Sequence, residues 1–341
     1  MFSRRGARTL LTIILGLGLF SALVAFVGPS KVIDALARAS PLYLGLALVA
    51  YAAFFALRGW RWRTLLSRSA PDVRFSSTAS ITAVGWLANS LVPLKGGDVL
   101  RAALLARREN LGAGTAAATV ALERVLDMMG LALVAALGML LLPHDELPSW
   151  FGRALEVAWI MPLVGVSGLL LLVRFRTGAM RASQRASRHL GALGARLHSF
   201  IDSTTSAVEA LVKHPRLLAQ VLPQSLLTSL TQTLIFACLV QAFLPGTPPL
   251  LAFGGAAIFL LSFVVSVTPG NVGTYEAAFA AVFAALGVPW DLALAAGILT
   301  HLTTTLIVGL LGGAGIIAIG TSEAPAPRPA RATTATAGER A

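Results

Sequence analysis

Long apolar runs, separated by short segments in which arginine, proline and glycine collect, set the pattern of this chain. Runs at 9–28, 41–57, 115–142, 154–173, 217–244 and 292–319 carry few charges. A helix rises about 1.5 Å per residue, so about 20 residues cross a hydrocarbon layer of about 30 Å. Lipid offers backbone amides no partner, and such runs must close their hydrogen bonds internally as helices. Two further segments, 76–112 and 250–286, each hold an apolar leg, a Pro/Gly-rich break and a second short leg. These read as broken or re-entrant hairpins. The expected fold is an all-α polytopic membrane protein: six full transmembrane helices plus two broken hairpins.

Composition narrows the class. Of 341 residues, 56% are hydrophobic and 12% charged, with a mean hydropathy of +0.78, too apolar for a water-soluble domain. A net charge of +12 would suggest nucleic acid in a soluble protein. Here the arginines sit in short loops between apolar runs, which is a topology signal, and no nucleic-acid partner is expected. Cys238 stands alone in an apolar stretch, so no disulfide framework or thiol metal site is expected. Arg4, Arg5 and Arg8 ahead of the first run resemble the start of a signal peptide. That run exceeds the usual signal length and no small-x-small cleavage site follows, so it reads as an uncleaved span. Residues 1–320 read as a single transmembrane domain, and the Ala/Pro/Thr/Arg tail at 321–341 as disordered.

The distribution of basic residues orients the spans. If 76–92 crossed fully, the loop with Lys95, Arg101, Arg107 and Arg108 would be external, as would the basic stretch 174–216. As a hairpin that enters and leaves on the inner face, it leaves only Lys31, Arg38 and Arg153 outside, with Arg124 inside a span. The second hairpin then enters from outside, which returns the tail to the inner face. The expectation is a multi-pass protein of the cytoplasmic membrane with both termini and the 174–216 loop cytoplasmic. The order is span, span, hairpin, span, followed by the same unit upside down, at about 9–142 and about 154–319. Pro41 with Leu217, Pro93 with Pro269, Ser90 with Ser266 and Gly97 with Gly273 all stand 176 positions apart. Inverted repeats whose broken helices meet near the midplane are a transporter architecture.

Polar residues inside such a chain are the candidates for chemistry. Asn89-Ser90-Leu91-Val92-Pro93-Leu94-Lys95-Gly96-Gly97-Asp98, with Arg101 one turn on, breaks a helix and restarts it. A helix start in a membrane cavity offers free amides and a positive dipole end to a phosphate. The alternative is an interfacial loop whose Asp98 caps the helix and pairs with Arg101. Thr268-Pro269-Gly270-Asn271-Val272-Gly273-Thr274-Tyr275-Glu276 is its counterpart, with Glu276 in the first turn of the next leg, where simple capping is the alternative to a functional role that its membrane depth favours. Glu123, Arg124 and Asp127 share about one turn of an apolar span, so an internal Arg124–Asp127 pair is possible. Three charges there cost several kcal/mol unless they pair or meet water, and such groups line pathways or glue helices together. At the repeat offset Arg124 falls on Thr300, beside His301, itself more typical of a helix–helix hydrogen bond than of a proton relay. Arg58 to Arg63 reads as an interfacial anchor with Trp60 and Trp62 in the aromatic belt, and Arg181, Arg185 and Arg188 as a stripe on the inner leaflet. Gly309 and Gly313 form a GxxxG that suggests close helix packing. No nucleotide-binding Gly-rich loop, His-Glu-x-x-His or Gly-x-Ser-x-Gly occurs, so neither a metal nor another cofactor is expected.

Taken together, Arg58-x-x-Arg61-Trp62, Asn89-x-x-x-Pro93 with Gly97-Asp98-x-x-Arg101, Glu123-Arg124-x-x-Asp127 and Pro269-Gly270-x-x-Gly273-x-x-Glu276 resemble the lysylphosphatidylglycerol synthase transmembrane, or flippase-like, family. The resemblance covers nearly the whole chain outside the tail. It implies a domain that moves a lipid between leaflets. The head-group or cavity candidates are Arg61, Asn89, Pro93, Gly97, Asp98, Arg101, Glu123, Arg124, Asp127, Pro269, Gly270, Gly273, Glu276 and His301. No long hydrophilic transferase domain is present, and no catalytic activity is expected. Asn271 and Val272 depart from the more glycine-rich family form, so head-group preference does not carry over. A membrane-embedded lipid-modifying transferase and a scaffold for a soluble glycosyl- or aminoacyl-transferase, recruited through 174–216, are the alternatives.

Overall fold

The computed structural model describes residues 29–91, 96–140, 142, 214–262 and 268–321, with scattered single positions between 156 and 209. The expected spans 9–28 and 154–173, the greater part of the basic loop 174–216, the tail beyond 321, and Pro93 and Lys95 lie outside the described residues or are described only at isolated positions. Among the described residues the regular structure is helical. In chain order the elements are α1 (Pro29–Ala37), α2 (Pro41–Leu66), α3 (Phe75–Leu91), α4 (Gly96–Arg108), α5 (Ala113–Leu140), α6 (Pro215–Phe243), α7 (Pro249–Ser262), a 3₁₀ turn at Pro269–Asn271, α8 (Thr274–Ala285) and α9 (Trp290–Thr321).

Proline at the first turn of α2 and α6 fixes where each begins, since a first-turn amide has no intrahelical partner to lose. The short legs stop by a shared device. Beyond α4, Asn110 takes φ +51° and Leu111 N–H donates to Ala106 C=O at 3.0 Å; beyond α8, Gly287 takes φ +88° and Val288 N–H donates to Phe283 C=O at 3.0 Å. Both are six-to-one closures around a left-handed residue, which satisfy the last carbonyls and turn the chain sharply.

α2, α6 and α9 are long and apolar enough to cross a membrane. Their outward faces are apolar too: α9 exposes Leu302, Leu306, Leu310, Ile316 and Ile317. A helix that is greasy outside as well as inside is built for lipid. α5 matches them in length, but Glu123, Arg124 and Asp127 interrupt its apolar character.

α2 packs along α6; α3 lies against α2, α4 and α9; and α5 lies against α4, α6 and α7. One core gathers Tyr51, Phe54 and Phe55 of α2 with Phe236 of α6, Phe259 of α7 and Phe279 and Phe283 of α8. Phe259 meets Tyr275 edge-on at 4.9 Å, and Phe279 meets Phe283 at 4.5 Å. Small residues bring backbones together. Thr78 Oγ1 donates to Gly59 C=O at 2.8 Å, and a Cβ at Gly59 would lie 2.7 Å from Ala79 Cα. On α9 the close approach falls at Gly312 and Gly315, which face Leu87, Ala83 and Ser80 of α3. Gly309 and Gly313, the expected packing pair, meet open space instead, because they lie on another side of the helix.

Two expectations change. α1 was not anticipated, and α2 runs nine residues past its apolar stretch, carrying Arg58 and Arg61 within it. The reason lies in the partners those arginines find.

Gly59→Ala is expected to lower stability by about 1–3 kcal/mol through overpacking, and Gly309→Ala to leave it unchanged or slightly raised. Thermal unfolding of the detergent-purified protein reads both. Equal midpoints would refute the α2–α3 contact.

Candidate functional site

The polar residues of the first half converge into one network. Asp127 of α5 accepts from two arginines of α2: Arg58 Nη2 at 2.8 Å on Oδ2 and Arg61 Nη2 at 2.5 Å on Oδ1. Arg61 reaches on to Glu123 Oε1 at 3.4 Å, and its Nη1 donates to Ser225 Oγ of α6 at 3.2 Å. Glu123 closes the chain by pairing through Oε2 with Arg101 of α4. Arg58, Arg61, Arg101 and Glu123 are essentially inaccessible. Asp127 is thus a hub, with both its oxygens bound by guanidinium groups on another helix.

Aromatic rings complete the arginine environments. Arg58 lies 5.4 Å from both the Phe54 and Trp86 rings, and Arg101 4.3 Å from Trp62. A weakly hydrated guanidinium on an aromatic face recovers part of what it loses on leaving water. Trp62 is anchored in turn by its Nε1, which donates to Thr119 Oγ1 at 3.0 Å. The 58–63 segment is therefore an internal structural element, and the interfacial-anchor reading of Arg58, Arg61 and Trp62 is overturned by their burial. Trp60 alone of its two tryptophans is exposed.

A second pair stands beside the hub. Arg124 Nε and Nη2 donate to Asp98 Oδ2 and Oδ1 at 2.7 and 2.6 Å, a two-pronged contact between α5 and α4. The alternative Asp98–Arg101 pair and the possible Arg124–Asp127 pair are not the close contacts; Arg124 Nη1 stays 4.0 Å from Asp127 Oδ2. Asp98 also accepts from Asn89 Nδ2 at 3.3 Å, while Asn89 Oδ1 takes the Gly97 N–H at 2.8 Å. Asn89 thereby ties α3 to α4 across the break. Gly97 is needed for room, since a side chain there would overlap Gly85 C=O and Asn89.

In the second half, Gly270 and Asn271 take φ of +61° and +62°, and Gly273 +87°, so the break after Pro269 is a run of left-handed residues that glycine and asparagine tolerate best. Glu276 is fully buried. Its Oε2 takes the Gly273 N–H at 2.7 Å, as a first-turn carboxylate should, and its Oε1 lies 2.8 Å from His301 Nδ1 of α9. His301 stacks on Tyr275 at 4.3 Å. The helix–helix reading of His301 fits this geometry, and capping accounts for only one oxygen of Glu276.

Between the two groups lies a cavity of about 180 Å³. Arg58, Arg124 and Asp127 line one side, His301 and Tyr275 another, and Ser90 and Gly270 bring both breaks to its wall. A Cβ at Gly270 would stand 3.4 Å from Ser90 C=O, so the end of α3 touches the 3₁₀ turn. Arg124, with its side chain 27% exposed, is the most accessible of the four arginines; Arg58 and Arg61 are at 1% and 0%. Of the expected site residues, Arg61, Arg101 and Glu123 are sealed behind this wall, Gly97 and Gly273 shape backbone, and Pro93 lies outside the described residues. Tyr51, Arg58, Trp86, Gln232 and Thr304 line the cavity without having been singled out as site residues. Arg58 was legible through its three-residue spacing from Arg61 on a continuing helix. No cluster of three or more His, Cys, Asp or Glu suited to a metal occurs among the described residues.

Fold and site define an all-α membrane protein with a polar, ion-paired cavity. The chain belongs to the family described as the lysylphosphatidylglycerol synthase TM region, whose model matches residues 12–312. A UPF0104 membrane protein of Methanothermobacter thermautotrophicus is 25% identical over 330 residues, covering 91% of this chain and 95% of that protein. A UPF0104 membrane protein of Methanocaldococcus jannaschii is 24% identical over 312 residues, covering 85% and 89%. The glycosyltransferase AglD of Haloferax volcanii is 26% identical over 343 residues, covering 89% of this chain but only 54% of its own length. No solved structure matches.

Asp127→Asn strands two buried guanidiniums and is expected to cost about 3–5 kcal/mol, while Asp98→Asn strands only the more accessible Arg124 and should cost less. Thermal unfolding in detergent separates them. A larger loss for Asp98→Asn would remove Asp127 as the hub.

Proposed function

We propose that this protein binds a phospholipid or lipid-linked head group in the cavity between its two halves and moves it between leaflets, without catalysing a reaction. The observation that carries the reading is the cavity itself, where the broken hairpins of both halves meet and charged groups stand ready inside a membrane protein. Irregular backbone at membrane depth is tolerated where it lines such a space.

The element order supports an inverted repeat. α2, α3, α4 and α5 have counterparts α6, α7, α8 and α9 about 176 positions on. Packing crosses over in the way a two-fold relation requires: α3 lies against α9 as α5 lies against α7, with α2 against its own counterpart α6. In this reading six spans and two hairpins place both termini and the basic loop in the cytoplasm. Arg107→Cys is then labelled by an impermeant maleimide from the inner face only.

A second reading has one observation in its favour, the relative named as a glycosyltransferase. In that reading Asp98 or Glu276 would act as general base, and each accepts hydrogen bonds from a neighbouring side chain here. Lipid analysis of a deletion strain distinguishes the two: a transferase loses a lipid species, a flippase changes only its sidedness.

The direct test is leaflet exchange of head-group-labelled anionic lipid in proteoliposomes. Exchange above protein-free vesicles is expected, and Arg124→Gln should reduce it by about ten- to a hundredfold, the loss of one charge-assisted hydrogen bond of about 1.5–3 kcal/mol. Exchange no faster than in empty vesicles would end this reading.

A further inference from the structure

The charges of the first-half ion network, apart from the Glu276–His301 pair across the cavity, do not cancel, and the remainder bears on the kind of head group that fits. Four guanidiniums (Arg58, Arg61, Arg101 and Arg124) stand against three carboxylates (Asp98, Glu123 and Asp127). One positive charge is left over in a low-dielectric setting, where an uncompensated charge is costly. A bound group with one negative charge removes that cost. A dianion or a cation does not.

The carboxylates are also spent. Asp98 is held in a two-pronged grip by Arg124, Asp127 is shared by Arg58 and Arg61, Glu123 lies between Arg61 and Arg101, and Glu276 is taken by Gly273 N–H and His301. An ammonium entering the cavity would find arginine where it needs a carboxylate.

Trp86, Gln232 and Thr304 add polar lining groups without formal charge. Trp86 Nε1 is buried with no hydrogen-bond partner, Arg58 Nε likewise, and Thr304 and Gln232 reach the wall from α9 and α6. Unpartnered donors inside a membrane protein are expensive unless a ligand meets them. They call for oxygen acceptors, and hydroxyl groups supply these along with donors of their own. The size agrees: about 180 Å³ lies below the roughly 300–1,000 Å³ of drug-sized sites. It suits a head group, with the acyl or prenyl chains left in lipid.

We infer that the cavity selects lipids whose head group is a single phosphodiester bearing an uncharged, hydroxyl-rich group of glycerol or sugar type, and discriminates against aminoacylated cationic head groups. The phosphodiester oxygens take the Arg124 and Arg58 side, and the hydroxyls take Trp86, Gln232 and Thr304. This rests on the cavity being the lipid site proposed above, but concerns which head group it holds and not whether it is carried across.

The test is equilibrium binding of the full chain in detergent micelles by native mass spectrometry, with no transport readout. The probes are phosphatidylglycerol, a glycosyl-phosphoprenol, phosphatidylethanolamine, phosphatidic acid and lysyl-phosphatidylglycerol. The first two are expected to bind at least about tenfold more tightly than the others, or about 1.4 kcal/mol, and their relative affinity says whether glycerol or sugar is the better fit. Gln232→Leu should weaken those two while leaving phosphatidic acid unchanged, and Arg124→Gln should weaken every anionic lipid. Lysyl-phosphatidylglycerol binding as tightly as phosphatidylglycerol, or Gln232→Leu affecting all lipids equally, overturns the inference. Selective binding without leaflet exchange would leave it standing and remove the flippase reading; exchange with a preference for the cationic lipid would do the reverse.

Discussion

Sharing two carboxylates among three arginines from two other helices is the constraint from which the first half of the molecule follows. Taking a guanidinium or a carboxylate out of water costs several kcal/mol, and in a low-dielectric interior only close, well-directed partners offset it. Asp127 and Glu123 lie one turn apart on α5 and face α2, where Arg58 and Arg61 are also one turn apart. The register between α2 and α5 is thereby set at two points. Arg101 sets it a third time from α4, and α4 is held to α3 through Asn89 and the close approach of Gly85 and Gly97. Moving any one element would strand charge on another. That is why α2 stays helical past its apolar stretch and why a hairpin with a Pro/Gly break can sit in a defined place.

The second half solves the same packing problem with other means. Its core is aromatic, with Phe236, Phe259, Phe279 and Phe283 in successive contact and Tyr275 leading to His301. Ring contacts of this kind contribute about 0.5–1.5 kcal/mol beyond area burial, without desolvating an ion. Its buried ionisable pair, Glu276 with His301, is local to α8 and α9 and makes no demand on the first half.

The long apolar runs and both Pro/Gly breaks could be read directly from the chain because each is a property of contiguous residues. The helix interruptions within 76–112 and 250–286 and the charge-rich turn of α5 fell where local pattern put them. Partner choice did not. Asp98 stands three positions before Arg101, and Arg124 three before Asp127, so local spacing offered those pairs; tertiary packing instead joined Asp98 to Arg124 and gave Asp127 to Arg58 and Arg61. Spacing along one helix cannot reveal a carboxylate on a neighbour. For the same reason the Arg/Trp-rich end of α2 looked like an anchor at the interface: its composition suits a headgroup layer as well as it suits a buried ion network, and only Asp127, 66 residues away from Arg61, decides between them. Gly309 and Gly313 showed the converse, a motif with the right spacing on a face that has no neighbour.

If the two halves are related by a shift of 176, the charges are not. Arg58, Arg61, Asp98, Arg101, Glu123, Arg124 and Asp127 fall on Leu234, Ala237, Thr274, Ala277, Leu299, Thr300 and Thr303, so every member of the network has an uncharged counterpart. A backbone with two equivalent halves would allow two mirror-related ways of opening, equal in energy if the side chains were equal. Concentrating the ion network in one half makes that half rigid, since opening it would separate buried pairs, and leaves the aromatic half, joined by non-directional contacts, as the one that can slide at lower cost. Under the leaflet-exchange function proposed above, this difference biases which side opens first. The half-buried Arg124, gripped by Asp98 at 2.6 Å and 4.0 Å from Asp127, stands at the boundary between the ion network and the cavity. Of the four guanidiniums it is the most accessible to a ligand, while Arg58 offers the cavity only its Nε edge.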